Sequence, residues 1–344
     1  MKIERYVPII RTSEAELKAF QNLSPDVKRL ITPFFELTRS RITSKPPFGD
    51  IYQNLYSILE HRPENFILDV TTEPKLENAQ TERLYSPLRG YKAWVDFVQQ
   101  LKGKLFLPVL LINENGHFDD LRSQAASLLK IAGGFVIRMG LDEKDYETYV
   151  APIIAEFCKS GKILLVFDCG FVKVGSASLV ATVADSLLAN VKKASPEIKT
   201  LVSASSFPAN VLAPGYGEEE EGNWWHEEVR LSELLNAHEF YSDYSGTHPF
   251  RYDGAGGWVP RIDVPLEREV FYKRVRREYG GYIAAARDVL DDDYYTSVGA
   301  WGDAEIRRAA DGFPSGRSPS HWIGVRVNLH ITRQVQRLYP DFVL

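Results

Sequence analysis

The sequence predicts an α/β fold of the (β/α)8 TIM-barrel type, followed by an α+β C-terminal extension. Apolar runs of about five residues without alternation recur along the chain, which is typical of parallel strands buried on both faces. The clearest is 163–167, within GKILLVFDCG. Amphipathic segments separate the runs. The predicted strands begin near residues 6, 30, 66, 105, 135, 163, 201 and 240, and their mean step of roughly 33 residues is that of a strand–helix unit.

A doubly wound open sheet is the alternative fold for this pattern. Such sheets bind nucleotides through Gly-rich turns that follow a strand. Here no strand is followed by G-x-G-x-x-G, and the sequence has no G-x-x-x-x-G-K-S/T loop. The closed barrel is therefore the favoured interpretation.

The first four strands are predicted at 5–10, 30–37, 66–70 and 105–112. Pro33 is awkward inside a central strand because proline lacks a backbone N–H, so we expect a bulge or an irregular end there. Helices are predicted from Ser13, over 50–60 and over 91–102. Two connections are long: 40–49, rich in Pro and Ser, and 71–90, a candidate lid or insertion.

The last four strands are predicted at 135–139, 163–167, 201–207 and 239–244. A helix opened by Asp119 and Asp120 precedes the first of them, and acidic residues suit that end of a helix dipole. The other helices are expected over 143–159, over 177–191 and through Leu231. Residues 214–228 are predicted to be a surface insertion.

Beyond residue 246 the repeating pattern stops. We therefore predict two domains, a barrel over 1–246 and an extension over 247–344 that packs on it. In the extension, 258–264 alternates like an edge strand, and a helix is predicted from Pro265 to Leu290, kinked at Gly280 and Gly281. The stretch 321–339 is predicted to pass from strand to helix.

Composition indicates a globular protein, with 44% hydrophobic and 25% charged residues. A net charge of −5 and a pI near 5.9 disfavour a nucleic-acid partner. Cys158 and Cys169 are too few for a disulfide framework or a cysteine-based zinc site, and Cys169 is interpreted as an inert core thiol. No signal peptide or membrane-spanning stretch is recognisable, so we expect a cytoplasmic protein that does not enter membranes.

Polar side chains stand where the predicted strands end, and the carboxyl ends of barrel strands carry active sites. The predicted catalytic residues are Glu36, Asp69, Asp168 and Asp243, and the predicted substrate-binding residues there are Arg11, Arg138 and Ser205. Converging carboxylates repel unless they are paired with arginine, protonated or bridged by a cation. Arginine pairing is available here, and a divalent cation such as Mg²⁺ is the cofactor hypothesis. For any one residue, a helix cap or salt bridge is the structural alternative.

Asn328 and His330 are added to the predicted substrate-binding set. On a strand, these alternate positions would face the same side, and Asp303 could then orient the imidazole. A satisfied core or surface histidine is the more ordinary interpretation. Lys273, Arg274, Arg276 and Arg277 are predicted to lie on the polar face of the extension helix, where they would be solvated or would bind phosphate or nucleic acid.

Two stretches resemble the "beta family protein" of phages and bacteria. At the start, YVPIIRTSEAELKAFQNLSPDVKRLITPFFEL matches a strand, a Glu-led helix and a P-hydrophobic-E-hydrophobic strand. At the end, WGDAEIRRAADG and HWIGVRVNLHIT match a G-D-x-x-I turn and a W-x-x-x-x-x-N-H-H-like stretch. Arg11 replaces the expected lysine and Ser13 the expected glycine. Leu329 interrupts the paired histidines, which argues against a two-histidine metal site. The resemblance implies a phage or bacterial intracellular setting and assigns no catalytic residue.

Two functional hypotheses follow from the sequence. In the first, the barrel is a hydrolase whose carboxylates and arginines act on a phosphate ester or a glycoside, a small-molecule or phosphate-containing ligand. In the second, the chain is a non-catalytic protein that binds a protein partner in phage–host conflict (defence or counter-defence) through the extension and the loop that contains Trp224. The absence of any complete catalytic motif motivates the second hypothesis.

Overall fold

The computed structural model describes residues 1–39, 50–60, 63–235, 240–251, 258–342 and 344. Within these residues, eight parallel strands pair in chain order and close into a barrel, as predicted. The last strand returns to the first through the pairs Tyr6–Tyr241 and Pro8–Asp243. The strands are β1 (Tyr6–Arg11), β2 (Phe34–Leu37), β3 (Phe66–Val70), β4 (Phe106–Leu110), β5 (Gly134–Met139), β6 (Lys162–Phe171), β7 (Lys199–Ser205) and β9 (Phe240–Asp243).

Helices occupy the connections between the barrel strands. They are α1 (Glu14–Gln21), α2 (Pro25–Arg29), α3 (Ile51–Glu60), α4 (Ala79–Leu84), α5 (Leu88–Gln99), α6 (Phe118–Ala132), α7 (Glu143–Asp145), α8 (Ala151–Phe157), α9 (Ala177–Ala194) and α10 (Glu227–Leu234). The candidate lid at 71–90 contains a 3₁₀ turn, Pro74–Leu76, and α4 with its capping box at Asn78. The predicted loop at 40–49 lies outside the described residues.

The strands form where the sequence is apolar at every position, because both faces are covered. Ile163 to Phe167 are all buried, between the barrel interior and the helices. β2 is shorter than predicted and begins after Pro33. Proline supplies no ladder N–H, but its carbonyl still accepts from Ile67 N at 2.9 Å.

The register of the strands sets the level of the polar residues. Arg11 of β1 lies opposite Glu36 of β2, and Glu36 lies opposite Asp69 of β3. On the other side, Arg138 of β5 pairs in register with Val166, two residues before Asp168. Since side chains alternate along a strand, these polar residues face the barrel interior at one end.

The extension contains a three-stranded antiparallel sheet with an unexpected member. Its order is β10 (Arg261–Pro265), β11 (Glu269–Arg274) and β8 (Glu221–Trp225). β10 lies at the edge, as predicted, whereas β8 comes from the predicted insertion before residue 246. The extension therefore shares its sheet with a segment that lies within the barrel sequence.

The predicted helix over 265–290 is wrong in its first half. Residues 269–274 read EVFYKR, whose β-branched and aromatic residues pair with β8 from Glu269–Trp225 to Lys273–Glu221. In the second half, a short 3₁₀ turn (Arg277–Tyr279) precedes α11 (Gly281–Leu290), so Gly280 and Gly281 stand at the start of the α-helix instead of kinking it. The apolar residues of this segment also fit a helical period, but pairing with β8 makes the segment a strand.

The final stretch is one continuous helix, so the predicted strand-to-helix passage is wrong. α12 (Trp301–Ala310) precedes α13 (Pro319–Leu338), whose N-cap Ser318 accepts from His321 N. α13 contributes Val327, Ile331 and Val335 to the barrel core. Its neighbouring face contributes Trp322, Val325 and Leu329 to the core of the extension. The helix thus joins the two cores. Among the described residues, no helix combines the length and the apolar character needed to cross a membrane.

We expect Gly302→Ala to destabilise the junction of α12 and α13 by about 1–3 kcal/mol, the usual cost of overpacking. A Cβ there would lie 2.5 Å from Leu329 Cγ and 3.0 Å from Val325 O. Urea denaturation measures the change. Gly140→Ala is the control, because its added Cβ meets nothing within 4 Å. Equal midpoints for the two variants would contradict this account of the packing.

Candidate functional site

A cavity of about 650 Å³ opens at the carboxyl ends of the barrel strands. Five of the predicted site residues line it: Arg11, Glu36, Asp69, Arg138 and Asp168. Each sits at or near the end of its strand, on the face that points into the barrel. The strand ends therefore bring together three of the four predicted carboxylates and both predicted arginines.

Arg138 is the centre of the site, and its guanidinium makes four hydrogen bonds and one further ion-pair contact. Its Nη1 donates to Glu36 Oε2 at 2.7 Å and to Asp69 Oδ2 at 2.8 Å. Its Nε donates to Asp168 Oδ2 at 2.9 Å. Its Nη2 lies 2.8 Å from the Tyr244 hydroxyl and 2.8 Å from Asp168 Oδ2. One guanidinium thus holds carboxylates from three strands.

Arg11 connects the floor of the cavity to the segment that follows β9. Its Nε donates to Glu36 Oε1 at 3.3 Å. Its two terminal nitrogens donate to the backbone carbonyls of His248, at 3.0 Å, and of Pro249. Arg11 is buried, so these contacts are shielded from water. The residue predicted to bind substrate is thereby engaged with its own chain.

Glu36 and Asp69 both accept from Arg138 Nη1, but their pKa values are shifted in opposite directions. Burial opposes the ionisation of Glu36, but Arg138 and Arg11 together bring its pKa down to about 2. Burial raises the pKa of Asp69 to about 6, because Arg138 offsets it only in part and the charge of Glu36 adds to it. Near pH 5, Glu36 is therefore ionised while most of Asp69 carries a proton.

Tyr244 completes the site and was not predicted from the sequence. Its hydroxyl donates to Asp168 Oδ2 at 2.6 Å, while Gly170 N donates to Asp168 Oδ1 at 2.9 Å. Burial raises the pKa of Tyr244 well above its ordinary value, so the phenol keeps its proton. Alternation along β9 indicates that Asp243 and Tyr244 face opposite sides, but it does not say which of the two faces the cavity.

Asp243 lies behind the mouth, and it does not line the cavity. Its Oδ2 is 2.8 Å from His330 Nε2 of α13, and its Oδ1 accepts from the Tyr6 hydroxyl at 2.9 Å. Asp243 and His330 are both fully enclosed between the barrel and α13. Asp303, expected beside His330, instead accepts from Val298 N and Ala300 N at the start of α12.

Ser205 and Asn328 also have structural partners away from the cavity lining. Ser205 Oγ donates to Thr247 O at 2.7 Å. Asn328 Nδ2 donates to Ala19 O at 3.2 Å, and its Oδ1 accepts from Gly302 N at 3.0 Å. Because α13 is a helix, Asn328 and His330 do not share a strand face as predicted.

Neither a metal site nor a cysteine nucleophile is formed at the mouth by the residues described. Those residues contain no group of three His, Cys, Asp or Glu side chains arranged to hold a metal ion. The place between the carboxylates is taken by the guanidinium of Arg138. Burial raises the pKa of Cys169, which lines the cavity, so that thiol stays protonated.

The Trp224 loop and the basic residues near Lys273, both predicted as contact surfaces, make contacts within the chain. Trp224 is buried under the three-stranded sheet, whereas Trp225 is exposed. Lys273 forms ion pairs with Glu221 and Asp292, and it lies on β11, not on a helix face. The predicted basic helix face is therefore absent from this part of the described structure.

We expect Arg138→Met to destabilise the protein by about 3–5 kcal/mol near neutral pH, because it leaves buried carboxylates without a counter-charge. The deficit should shrink at lower pH as these carboxylates bind protons. Thermal unfolding across pH measures both effects. Arg122→Met, which removes an exposed arginine paired only with Glu156 on the surface, is the control and should change little. A similar small effect at Arg138 would contradict its central role.

Comparison with known proteins agrees with the architecture of the whole chain. A family model described as Beta protein matches residues 6–336. Protein beta of Enterobacteria phage P4 is 29% identical over 345 residues, covering 96% of this chain and 93% of that protein. The match includes both the barrel and the extension, and it agrees with the resemblance seen at the two ends. The chain belongs to the Beta protein family.

Proposed function

We propose that the barrel is a glycoside hydrolase, with Asp69 as general acid and Glu36 as its ionised partner. The observation that carries the proposal is the pair of carboxyl groups on one nitrogen of Arg138, with pKa values of about 6 and about 2 at the floor of a cavity. Such divergence distinguishes the acid from the base in enzymes that use two carboxyls. Asp69 then protonates the leaving oxygen, and Glu36 faces the charge that develops on the sugar carbon.

The spacing of the two groups favours a retaining mechanism. Glu36 Oε2 and Asp69 Oδ2 lie 2.7 and 2.8 Å from the same nitrogen. Their separation is therefore smaller than the roughly 6.5–9.5 Å that inverting enzymes need to fit a water molecule. In a retaining reaction Glu36 attacks the sugar carbon, and water later releases the product.

A phosphate ester is less well supported as the substrate. A phosphate needs free N–H donors, and Arg138 already makes four hydrogen bonds, to Glu36, Asp69, Asp168 and Tyr244, and a further ion-pair contact with Asp168. Arg11 already donates to Glu36 and to the backbone carbonyls of His248 and Pro249. For the interaction-protein hypothesis, Trp224 is not a contact because it is buried, whereas Trp225 beside it is exposed.

Asp69→Asn should reduce glycosidase activity by about 10²–10⁴-fold, the usual contribution of a general acid. The assay is release of a chromophore from a panel of aryl glycosides. Asp168→Asn should also lower activity, because it removes the negative charge that Arg138 pairs with and one of the two carboxylate oxygens that accept from Tyr244, Arg138 and Gly170. Asp96→Asn, on the outer surface of α5, is the matched control. Full activity in a folded Asp69→Asn protein would eliminate Asp69 as the acid.

Activity should be highest between about pH 2 and about pH 6, with folding setting the practical lower limit. Above about pH 6 it should fall tenfold per pH unit as Asp69 loses its proton. The profile of kcat/KM measures this, and a rate that stays level up to pH 8 would contradict the assignment.

Stability supplies a second readout of the same group. The pKa of Asp69 is raised, so its contribution is fully present below its ordinary pKa of 3.8 and is lost as pH rises through about 6. The loss is on the order of 3 kcal/mol. Asp69→Asn should remove this part of the pH dependence of unfolding.

A further inference from the structure

We propose that the ligand of the mouth carries a positively charged amine, so that the substrate class is an amino-sugar glycoside, and that Phe250 contributes to this selectivity. The inference rests on the proposed function, since it names the substrate of the same site. It is carried by the charges, the hydrogen-bonding groups and the aromatic rim of the cavity.

The charge of the lining favours a cation. Among the described lining residues, four carboxyl groups face two guanidinium groups: Glu36, Asp69, Glu73 and Asp168 against Arg11 and Arg138. Both guanidiniums are already bound to the carboxylates or to backbone carbonyls. With Asp69 protonated as the general acid, the other three carboxyl groups still outnumber the two guanidiniums, so an excess of negative charge is available to an arriving ligand. The barrel walls restrict its screening by water.

The hydrogen-bonding groups favour a donor. Asp69 Oδ1 accepts from Val70 N at 2.8 Å, and Asp168 Oδ1 accepts from Gly170 N at 2.9 Å. Asp69 Oδ1 can accept a further hydrogen bond, whereas Asp168 Oδ1 already has a second, longer one from the Ser203 hydroxyl at 3.4 Å. Arg138, by contrast, already makes four hydrogen bonds within the site and an ion-pair contact with Asp168. An ammonium group presents three N–H donors and no acceptor, which is the complement of this floor.

The rim of the cavity adds aromatic faces. Phe171 and Phe250 line it, with the ring of His248 stacked 4.8 Å from Phe171 and 5.8 Å from Phe250. Burial lowers the pKa of His248 to about 4, so this ring is neutral and does not repel a cation. Phe250 is 51% exposed, which leaves a face free for contact. Cations are attracted to aromatic faces, and sugars pack on them.

Arg11 fixes this rim relative to the floor. It bonds Glu36 on one side and the carbonyls of His248 and Pro249 on the other. Phe250 is the next residue, so its backbone is held at a defined distance from the carboxylates.

Three β-1,4-linked oligosaccharides that differ only at C2 test the inference. One carries a hydroxyl there, one an acetamide and one a free amine. Titration calorimetry at a pH of about 6 should give at least tenfold tighter binding of the amine, about 1.4 kcal/mol. Added salt should narrow the preference, since the attraction is electrostatic.

Two variants sharpen the test. Phe250→Ala should weaken binding of the amine several-fold, and Asp168→Asn should reduce its advantage over the hydroxyl form. Phe313→Ala, at an exposed phenylalanine of the extension, is the control and should bind like the parent. Because Phe250 is half exposed, its variant is expected to fold.

The outcomes separate the inference from the function on which it rests. Equal binding of the three oligosaccharides, or no binding of the amine form, overturns the inference. Hydrolysis of neutral aryl glycosides would then leave the proposed function standing. Selective binding of the amine form without cleavage of any glycoside supports the ligand class and overturns the hydrolase.

Discussion

The ion pairs of Arg138 are the interaction on which the mouth of the barrel depends. Parallel strands that close into a ring bring their carboxyl ends together, and here three of those ends carry a carboxylate. Without a counter-charge, Glu36, Asp69 and Asp168 would repel one another in a partly dry cavity. The guanidinium of Arg138 offsets this repulsion. It stabilises the charge of Glu36 more than that of Asp69, so Asp69 can hold a proton up to about pH 6. The ion pairs of Arg138 thus both hold the mouth together and set the pKa difference on which the proposed catalysis depends.

The sequence was sufficient to predict the barrel and most of its mouth. Runs such as 163–167 must be buried on both faces, and a polar residue at the end of each run must then lie at the rim. Glu36, Asp69, Arg138 and Asp168 follow from that argument. The sequence does not indicate whether the side chain at a strand end points into the barrel or away from it. Asp243 and Tyr244 are neighbours, and only the register of β9 with β1 and β7 determines that Tyr244 enters the cavity.

The extension was predicted less well because its structure is decided by distant partners. Residues 269–274 become a strand since β8, some 45 residues earlier, lies beside them. Residues 321–339 carry two apolar faces, which the sequence could not assign to two different cores. In the structure α13 covers the barrel with one face and the extension with the other. The period of apolar residues within a segment does not show which distant segment it will pack against.

The same helix gives Asp243 and His330 a role behind the site. Tyr244 is followed by Ser245 and Gly246, which have left-handed φ values of 55° and 71°. Asp243 Oδ1 accepts from Ser245 N at 2.8 Å, and a Cβ at Gly246 would lie 3.1 Å from the His330 ring. The turn that delivers the Tyr244 hydroxyl to Asp168 is therefore shaped against α13. Since α13 also carries the core of the extension, the extension supports the geometry of the mouth from behind, and its first residues add Pro249 and Phe250 to the lining.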